Sequence, residues 1–374
     1  MEQERKRILN MVQEGKLTVD EALVLLDELG KSSESMKKKE EQLYGELSTM
    51  VKSEGAKFEE AKKEDGSSSY KFQSAKEKLF EFVDTTIKKI KDLDLDLNFG
   101  HSVDISHIFQ HAEASISSID IDMANGSAKL IPWDQDDVRV ECDVKVYRVD
   151  TPEEARNIFL NDVVFAIEND KLKFFSQQKW MKLNAKIYIP QTQYENIKVR
   201  MFNGSIESEN LAVTKYNAKT ANGKINLTGM SSKYVEVETA NGQIDLRNSQ
   251  IEDFEAETIN GAIKVDGKFK RVDLQSFNGN ITFSLAGESS CEIIEAKSTT
   301  GGIKLYLPET LAIRGEFKSN LGAFQVDREG ITTTEEKSEV VQKLLRFEPL
   351  NETFHVAKVA AETKTGSITM KRVK

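Results

Sequence analysis

His107 and His111 stand four residues apart, the spacing at which a helix sets two imidazoles on one face and presents them to a metal ion. The Glu that completes an HExxH zinc motif is missing, its place being taken by Ile108, so the pair predicts no zinc centre and no cofactor is expected. The chain has two cysteines, Cys142 and Cys291, both within apolar-alternating stretches. They read as small buried apolar residues, not as nucleophiles or a disulfide framework. Glu236, Glu238, Glu255, Glu257 and Asp273 form a row of outward acids. Converging carboxylates of this kind perform acid and base work in polysaccharide-active β-helices; the plainer reading is a solvated strand face. No GxxxxGK[ST] run is present, and no catalytic residue is assigned.

The elements that would carry these groups are set by a repeat. Gly204, Gly223, Gly242, Gly261 and Gly279 fall nineteen, nineteen, nineteen and eighteen residues apart, each preceded by an asparagine: Asn203, Asn222, Asn241, Asn260 and Asn278. Seven and five residues before each glycine lie apolar positions such as Ile197 and Val199, Tyr216 and Ala218, or Val235 and Val237, with polar residues between them. That alternation is the period of a half-buried strand. Two residues after each glycine comes Ile206, Ile225, Ile244, Ile263 or Ile281, opening a second inward-facing strand. Weaker copies carry Asn125 and Gly126 upstream, and Gly301, Gly322 and Gly366 downstream. The prediction is a mainly β chain folded as a β-solenoid over residues 113–374, in which nine layers at roughly 4.8 Å would stack to about 40 Å. A propeller or a sandwich accommodates the regular spacing less directly.

The corner glycines are expected to supply positive φ, which Asn tolerates better than most residues. Thr220, Thr239, Thr258, Ser276, Ser298 and Ser319 precede corner glycines by three, and their hydroxyls either bond corner backbone groups or stack as a ladder.

Three regions precede the repeats. Residues 1–30 predict a helical hairpin with a contact face of Ile8, Leu9, Val12, Leu23 and Leu26; Thr18 and Glu21 form a capping box, and Gly15 and Gly30 end the two helices. So small a unit needs a partner or self-association, and the acids on its second helix argue against a DNA-reading role. Residues 31–74, rich in Lys, Glu and Ser, read as a flexible linker. Residues 75–112 read as an amphipathic helix and junction, in which Leu79, Phe80, Val83, Ile87 and Ile90 either lie in a membrane interface or cap the open end of the solenoid. Within the repeats, Thr151, Pro152 and Glu154 start an inserted helix, a recognition feature or a structural flap, and Trp133, Trp180 and Tyr188 suggest an aromatic patch.

The 374 residues carry a net charge of -10, which argues against nucleic acid as a partner. No secretory signal follows Met1–Arg7 and no window of about eighteen apolar residues occurs, so the expected location is cytoplasmic or peripheral at the membrane, with the cell surface as the alternative.

The opening ERKRILNMVQEGKLTVDEALVLLDEL, the charged linker, the stretch KEKLFEFVDTTIKKIKDLDLDLNFG and the Asn-Gly repeats together resemble the LiaX/YvlB-like family of Gram-positive proteins, whose repeats are of the bacterial adhesin type. The resemblance implies a non-enzymatic role in the cell-envelope stress response. It also implies envelope-stress membrane proteins or cationic antimicrobial peptides as partners. An extracellular adhesin or carbohydrate-binding solenoid, and a polysaccharide-active enzyme, are the alternative functions.

Overall fold

The computed structural model describes residues 2–13, 22–23, 25–26, 30, 37–40, 101–287, 290–339, 341–351 and 354–373. Two helices are described over their whole length, α1 (Glu2–Gln13) and α2 (Pro152–Asp162), and residues 22–23, 25–26, 30 and 37–40 are helical as well. The strands run β1 (Ser102–His111), β2 (Ser118–Trp133), β3 (Val138–Tyr147), β4 (Val164–Glu168), β5 (Lys171–Ser176), β6 (Met181–Pro190) and β7 (Gln193–Glu209). They continue as β8 (Ala212–Asn222), β9 (Ile225–Thr228), β10 (Ser231–Asn241), β11 (Ile244–Asn260), β12 (Ile263–Ser276), β13 (Ile281–Leu285) and β14 (Ile293–Ser298). The last are β15 (Ile303–Leu307), β16 (Ile313–Ser319), β17 (Phe324–Asp327), β18 (Ile331–Ser338), β19 (Lys343–Pro349), β20 (Ala357–Thr363) and β21 (Ile368–Arg372).

The repeats form a parallel β-solenoid. Each layer contributes one strand to each of two ladders, and equivalent residues pair from layer to layer: Val235 lies beside Tyr216 on one side and Phe254 on the other. The first ladder passes through the front half of β7, then β8, β10, the back halves of β11 and β12, and β14. The second passes through β9, the front halves of β11 and β12, β13 and β15. Because alternation sends every second side chain inward, Ile197, Val199, Tyr216, Val235, Val237, Ile225, Leu227 and their successors are fully buried between the ladders. Each such side chain contributes roughly 1.5–3 kcal/mol. Ser208 interrupts the apolar column, and its hydroxyl is satisfied by Tyr216 Oη at 2.8 Å.

The stacking order departs from the chain order at the far end. Strand β20 pairs in parallel with both β14 and β16, and β21 with both β15 and β17. The copy that comes last in sequence is therefore the penultimate layer, and the copy at 313–326 lies outside it. That outer layer is then extended by the antiparallel pair β19–β18, whose edge carries exposed Thr332, Thr333, Glu336 and Lys337. Charged, hydroxylated edges of this kind resist further strand addition.

The near end is closed by structure that the repeat pattern did not contain. Residues 102–111, assigned to the helical junction, form β1, which pairs antiparallel with β3; β3 pairs with β6, and β6 continues the second ladder alongside β2. The β domain thus begins near residue 102. Helix α2 packs over this end: Thr151 Oγ1 accepts from Glu154 N at 3.2 Å as the N-cap, and Ala155 and Phe159 are fully buried. Phe159 meets Phe109 and His107 at ring-centroid distances of 5.8 and 5.6 Å. The inserted helix closes the core. The segment with Leu79, Phe80, Val83, Ile87 and Ile90 lies outside the described residues, as do Gly15, Thr18, Glu21 and most of the linker. Among the described residues no helix is long and apolar enough to cross a membrane.

Candidate interaction surface

The Asn-Gly corners build a column. The side-chain amide of each asparagine donates to the asparagine of the layer before: Asn203 to Asn125 at 2.9 Å, Asn222 to Asn203 at 2.7 Å, Asn241 to Asn222 at 3.0 Å, Asn260 to Asn241 at 2.9 Å and Asn278 to Asn260 at 3.4 Å. Thr300 Oγ1 then donates to Asn278 at 2.7 Å. The hydroxyls three residues before the glycines bond corner backbone, one of the two expectations: Thr220, Thr239, Thr258, Ser276 and Ser298 donate to the carbonyls of Gly204, Gly223, Gly242, Gly261 and Gly279 at 2.9–3.1 Å.

The reason for glycine differs from the one expected. Positive φ occurs at Gly126 (130°) and Gly204 (150°), whereas Gly223, Gly242, Gly261, Gly279, Gly301, Gly322 and Gly366 have none. Each of these glycines instead lies against the carbonyl of the glycine in the adjacent layer, so that a Cβ on Gly242 would fall 1.7 Å from Gly223 O and one on Gly261 1.8 Å from Gly242 O. Close approach of backbone to backbone, and not turn geometry, excludes side chains there. Positive φ appears at the other corner, at Asn210, Gly229, Asn248, Gly267 and Gly287. The Asn or Gly that recurs at that position is the sequence signal for this corner, and it lies outside the Asn-Gly dipeptides.

The row of acids lies on the outer face of the first ladder, where Glu236, Glu238, Glu255, Glu257 and Asp273 line a hollow of about 50 Å³. Lys219 Nζ bonds Glu238 at 2.9 Å and approaches Glu236 at 3.6 Å, and Asn217 donates to Glu236 at 2.7 Å. Burial raises the pKa of Glu238 and of Asp273, against the pull of Lys219 and of the Gln275 hydrogen bond respectively. Glu236 is held low: burial opposes ionisation, but its hydrogen bond with Glu238 and the Lys219 charge prevail. The acids therefore share charge unequally, on an open face. A larger groove of about 890 Å³ follows the second corner, lined by Thr214, Ser231, Ser232, Lys233, Gln250 and Phe269 among others.

The predicted helical contact face divides. Ile8 is buried with Ala22 and Leu25, and Met11, Val12 and Leu26 pack on that cluster together with Leu321 and Val341 from the outermost layers. Leu9 and Leu23 are 56% and 58% exposed.

His107 and His111 do not form a pair. On β1 four residues span about 13 Å, where one helical turn would have brought the rings together. His107 packs edge-on to Phe109 at 4.5 Å, and burial followed by the Arg156 charge lowers its pKa. Among the described residues no cluster of three His, Cys, Asp or Glu side chains could hold a metal ion. Cys142 is buried on β3 and Cys291 just ahead of β14, and burial pushes both thiols up to about 12. Of the three candidate aromatics, Trp133 and Tyr188 meet at a ring-centroid distance of 5.3 Å with their planes tilted by 36°, and Trp180 is exposed.

A glycine-columned parallel solenoid, capped at one end by a helix and at the other by a hairpin, is the class of protein these features define. The chain belongs to the Toastrack DUF4097 family, whose model matches residues 116–346; residues 3–34 match a SHOCT-like domain. It is 44% identical over 371 residues to YvlB of Bacillus subtilis (strain 168), covering 99% of each chain. Two solved structures share 12% identity with it at a TM-score of 0.38, each covering 72% of this chain and 97% of its own: a "putative adhesin" from Bacteroides fragilis NCTC 9343 and a "putative lipid binding protein" from Parabacteroides distasonis ATCC 8503.

Proposed function

We propose that this protein is a non-enzymatic regulator of the cell-envelope stress response, of the LiaX type, and that it acts from the cytoplasm or the inner membrane face through protein, peptide or membrane contacts on its solenoid. The observation that carries this reading is the small apolar junction between the helical module and the solenoid, in which Ile8, Ala22 and Leu25 meet Leu321 and Val341. An interface of that size is replaceable, and Leu9 and Leu23 offer a partner an apolar foothold beside it. A cationic antimicrobial peptide or an altered membrane would compete for such contacts and shift which surface is presented. The acidic outer face supports attraction of a cationic partner.

Deletion of residues 1–30 is expected to change stress signalling while the solenoid keeps its thermal transition. Unchanged signalling would count decisively against this role. Protease shaving of intact stressed cells, with a cytoplasmic protein as the lysis control, tests the location: full protection is expected, and selective loss of the chain would place it on the surface.

A second reading, an adhesin or carbohydrate-binding solenoid, is favoured by the 890 Å³ groove, whose hydroxyl, amide and ammonium groups suit a polar polymer. Saturable binding on a glycan array without turnover would support it, and sugar release from purified polysaccharide would point to an enzyme instead.

A further inference from the structure

The outer face of the first ladder bears an apolar strip beside its carboxylates. Strand alternation turns Ala221, Ala240 and Ile259 outward with Lys219, Glu238 and Glu257, yet all three are buried, in a cluster separate from the solenoid core that Phe202 and Phe277 flank. Residues 37–40, which are helical, lie at this place: the Lys39 ammonium pairs with Glu257, and Glu40 Oε1 accepts from Asn241 Nδ2 at 3.5 Å.

We propose that this acidic and apolar face is the docking seat of the chain's own Lys37–Glu40 segment, so that the helical module is latched to the solenoid at two points: an apolar one at Leu321 and Val341, and an electrostatic one at Glu257 and Asn241. The distances agree. The layer of Gly322 is four steps from that of Gly261 along the column, through Gly366, Gly301 and Gly279. Four steps of roughly 4.8 Å make about 19 Å, and the seven residues from Gly30 to Lys37 reach about 23–25 Å when extended. The charges agree as well. Five carboxylates lie in three consecutive layers beside Lys219, and the segment that meets them at Lys39 carries the lysine run Lys37, Lys38 and Lys39. Lys39 and Glu257 keep 47% and 26% of their side-chain surface in water, so the pair is weak, salt-sensitive and open to exchange. The apolar point holds the module in place while the electrostatic point decides whether the acidic face is covered or available.

Carbodiimide cross-linking of the full chain tests this directly, because the reagent joins a lysine amine to a carboxylate only where the two touch. The expected product is a Lys39–Glu257 link in the monomer, identified by peptide mass spectrometry. The Lys173–Glu168 pair, 2.7 Å apart, serves as the internal control. Raising salt from about 0.05 to 0.5 M should lower the Lys39 link about threefold and the control link much less, because the β4–β5 backbone ladder holds Glu168 and Lys173 together whatever the screening. The double variant Glu238→Gln/Asp273→Asn, which keeps Lys39 and Glu257, should lower it about as much by weakening the acidic field. Formation of the control link without the Lys39 link would overturn the latch, as would a link confined to covalent dimers, which would seat the segment on a second copy. The latch deepens the exchange reading above, but cross-linking reads the contact itself. Altered signalling on deletion of residues 1–30 without a Lys39–Glu257 link would remove the latch and leave that reading standing.

Discussion

The two corners of each layer solve the same problem by opposite means. At the first, Gly223, Gly242 and Gly261 keep ordinary φ and are required because the adjacent layer's carbonyl occupies the space of a Cβ. At the second, Asn210, Gly229 and Asn248 are set by their own left-handed φ of 48–66°, and only Gly267, with φ of 155° and Ser249 O 2.2 Å from where a Cβ would fall, shares the constraint of the first. One constraint lies between layers and the other within a layer. The first therefore tolerates no side chain, whereas the second accepts any residue that enters the left-handed region cheaply, which is why Asn and Gly alternate there.

The strongest way to break that contrast is Gly242→Ala. A Cβ 1.7 Å from Gly223 O meets backbone on a rigid ladder, so separation of the layers should cost about 3 kcal/mol or more, read as a shift in the midpoint of urea unfolding. A loss below about 1 kcal/mol would mean that the column does not hold the layers in register. Asn241→Ala should cost about 1–2 kcal/mol in the same measurement, because it removes its bonds to Asn222 and Asn260 and leaves their half-buried amides short of partners.

At the other corner, Asn248→Ala should cost about 1 kcal/mol, since φ of 48° is strained for alanine, whereas Asn248→Gly should stay within a few tenths. Equal losses in the two variants would assign the cost to the asparagine side chain and not to φ.

The smallest effect concerns the acidic face. Burial raises the folded-state pKa of Asp273, so the folded state binds the proton more tightly than the unfolded chain, and this group's contribution to stability falls as pH rises through that raised value. Asp273→Asn should accordingly stabilise the protein slightly at neutral pH, by up to about 0.5 kcal/mol, with the gain vanishing as the pH falls into the carboxylate range. A gain that persists in acid would show that charge is not its cause.

Much of the architecture could be read from particular residues. The inward pairs such as Val235 and Val237 and the hydroxyls at Thr220 to Ser298 keep roles that their spacing assigns, and the nine corner glycines keep their places, though seven of them for close backbone approach and not for positive φ. The helical reading of residues 102–111 failed because the apolar residues around His107, namely Ile105, Ile108 and Phe109, suit a strand as well as a helix, and pairing with β3 decides between them. The surface was legible only in part: the outward acids were visible, while the covered strip at Ala221, Ala240 and Ile259 looks in sequence like ordinary strand termini.

The sequence by itself determined the nine glycine-cornered layers, which of their side chains point inward and where the first corner of each falls, because alternation and turn chemistry act over a few neighbouring residues. Only the tertiary structure decided the order of the last two layers, the closure of the near end by Phe159, and the seating of Lys39 on Glu257. Those are choices among partners far apart in the chain. Copies with the same local pattern compete equally for a place in the stack until the end hairpin, the capping helix and the charges across the face distinguish them.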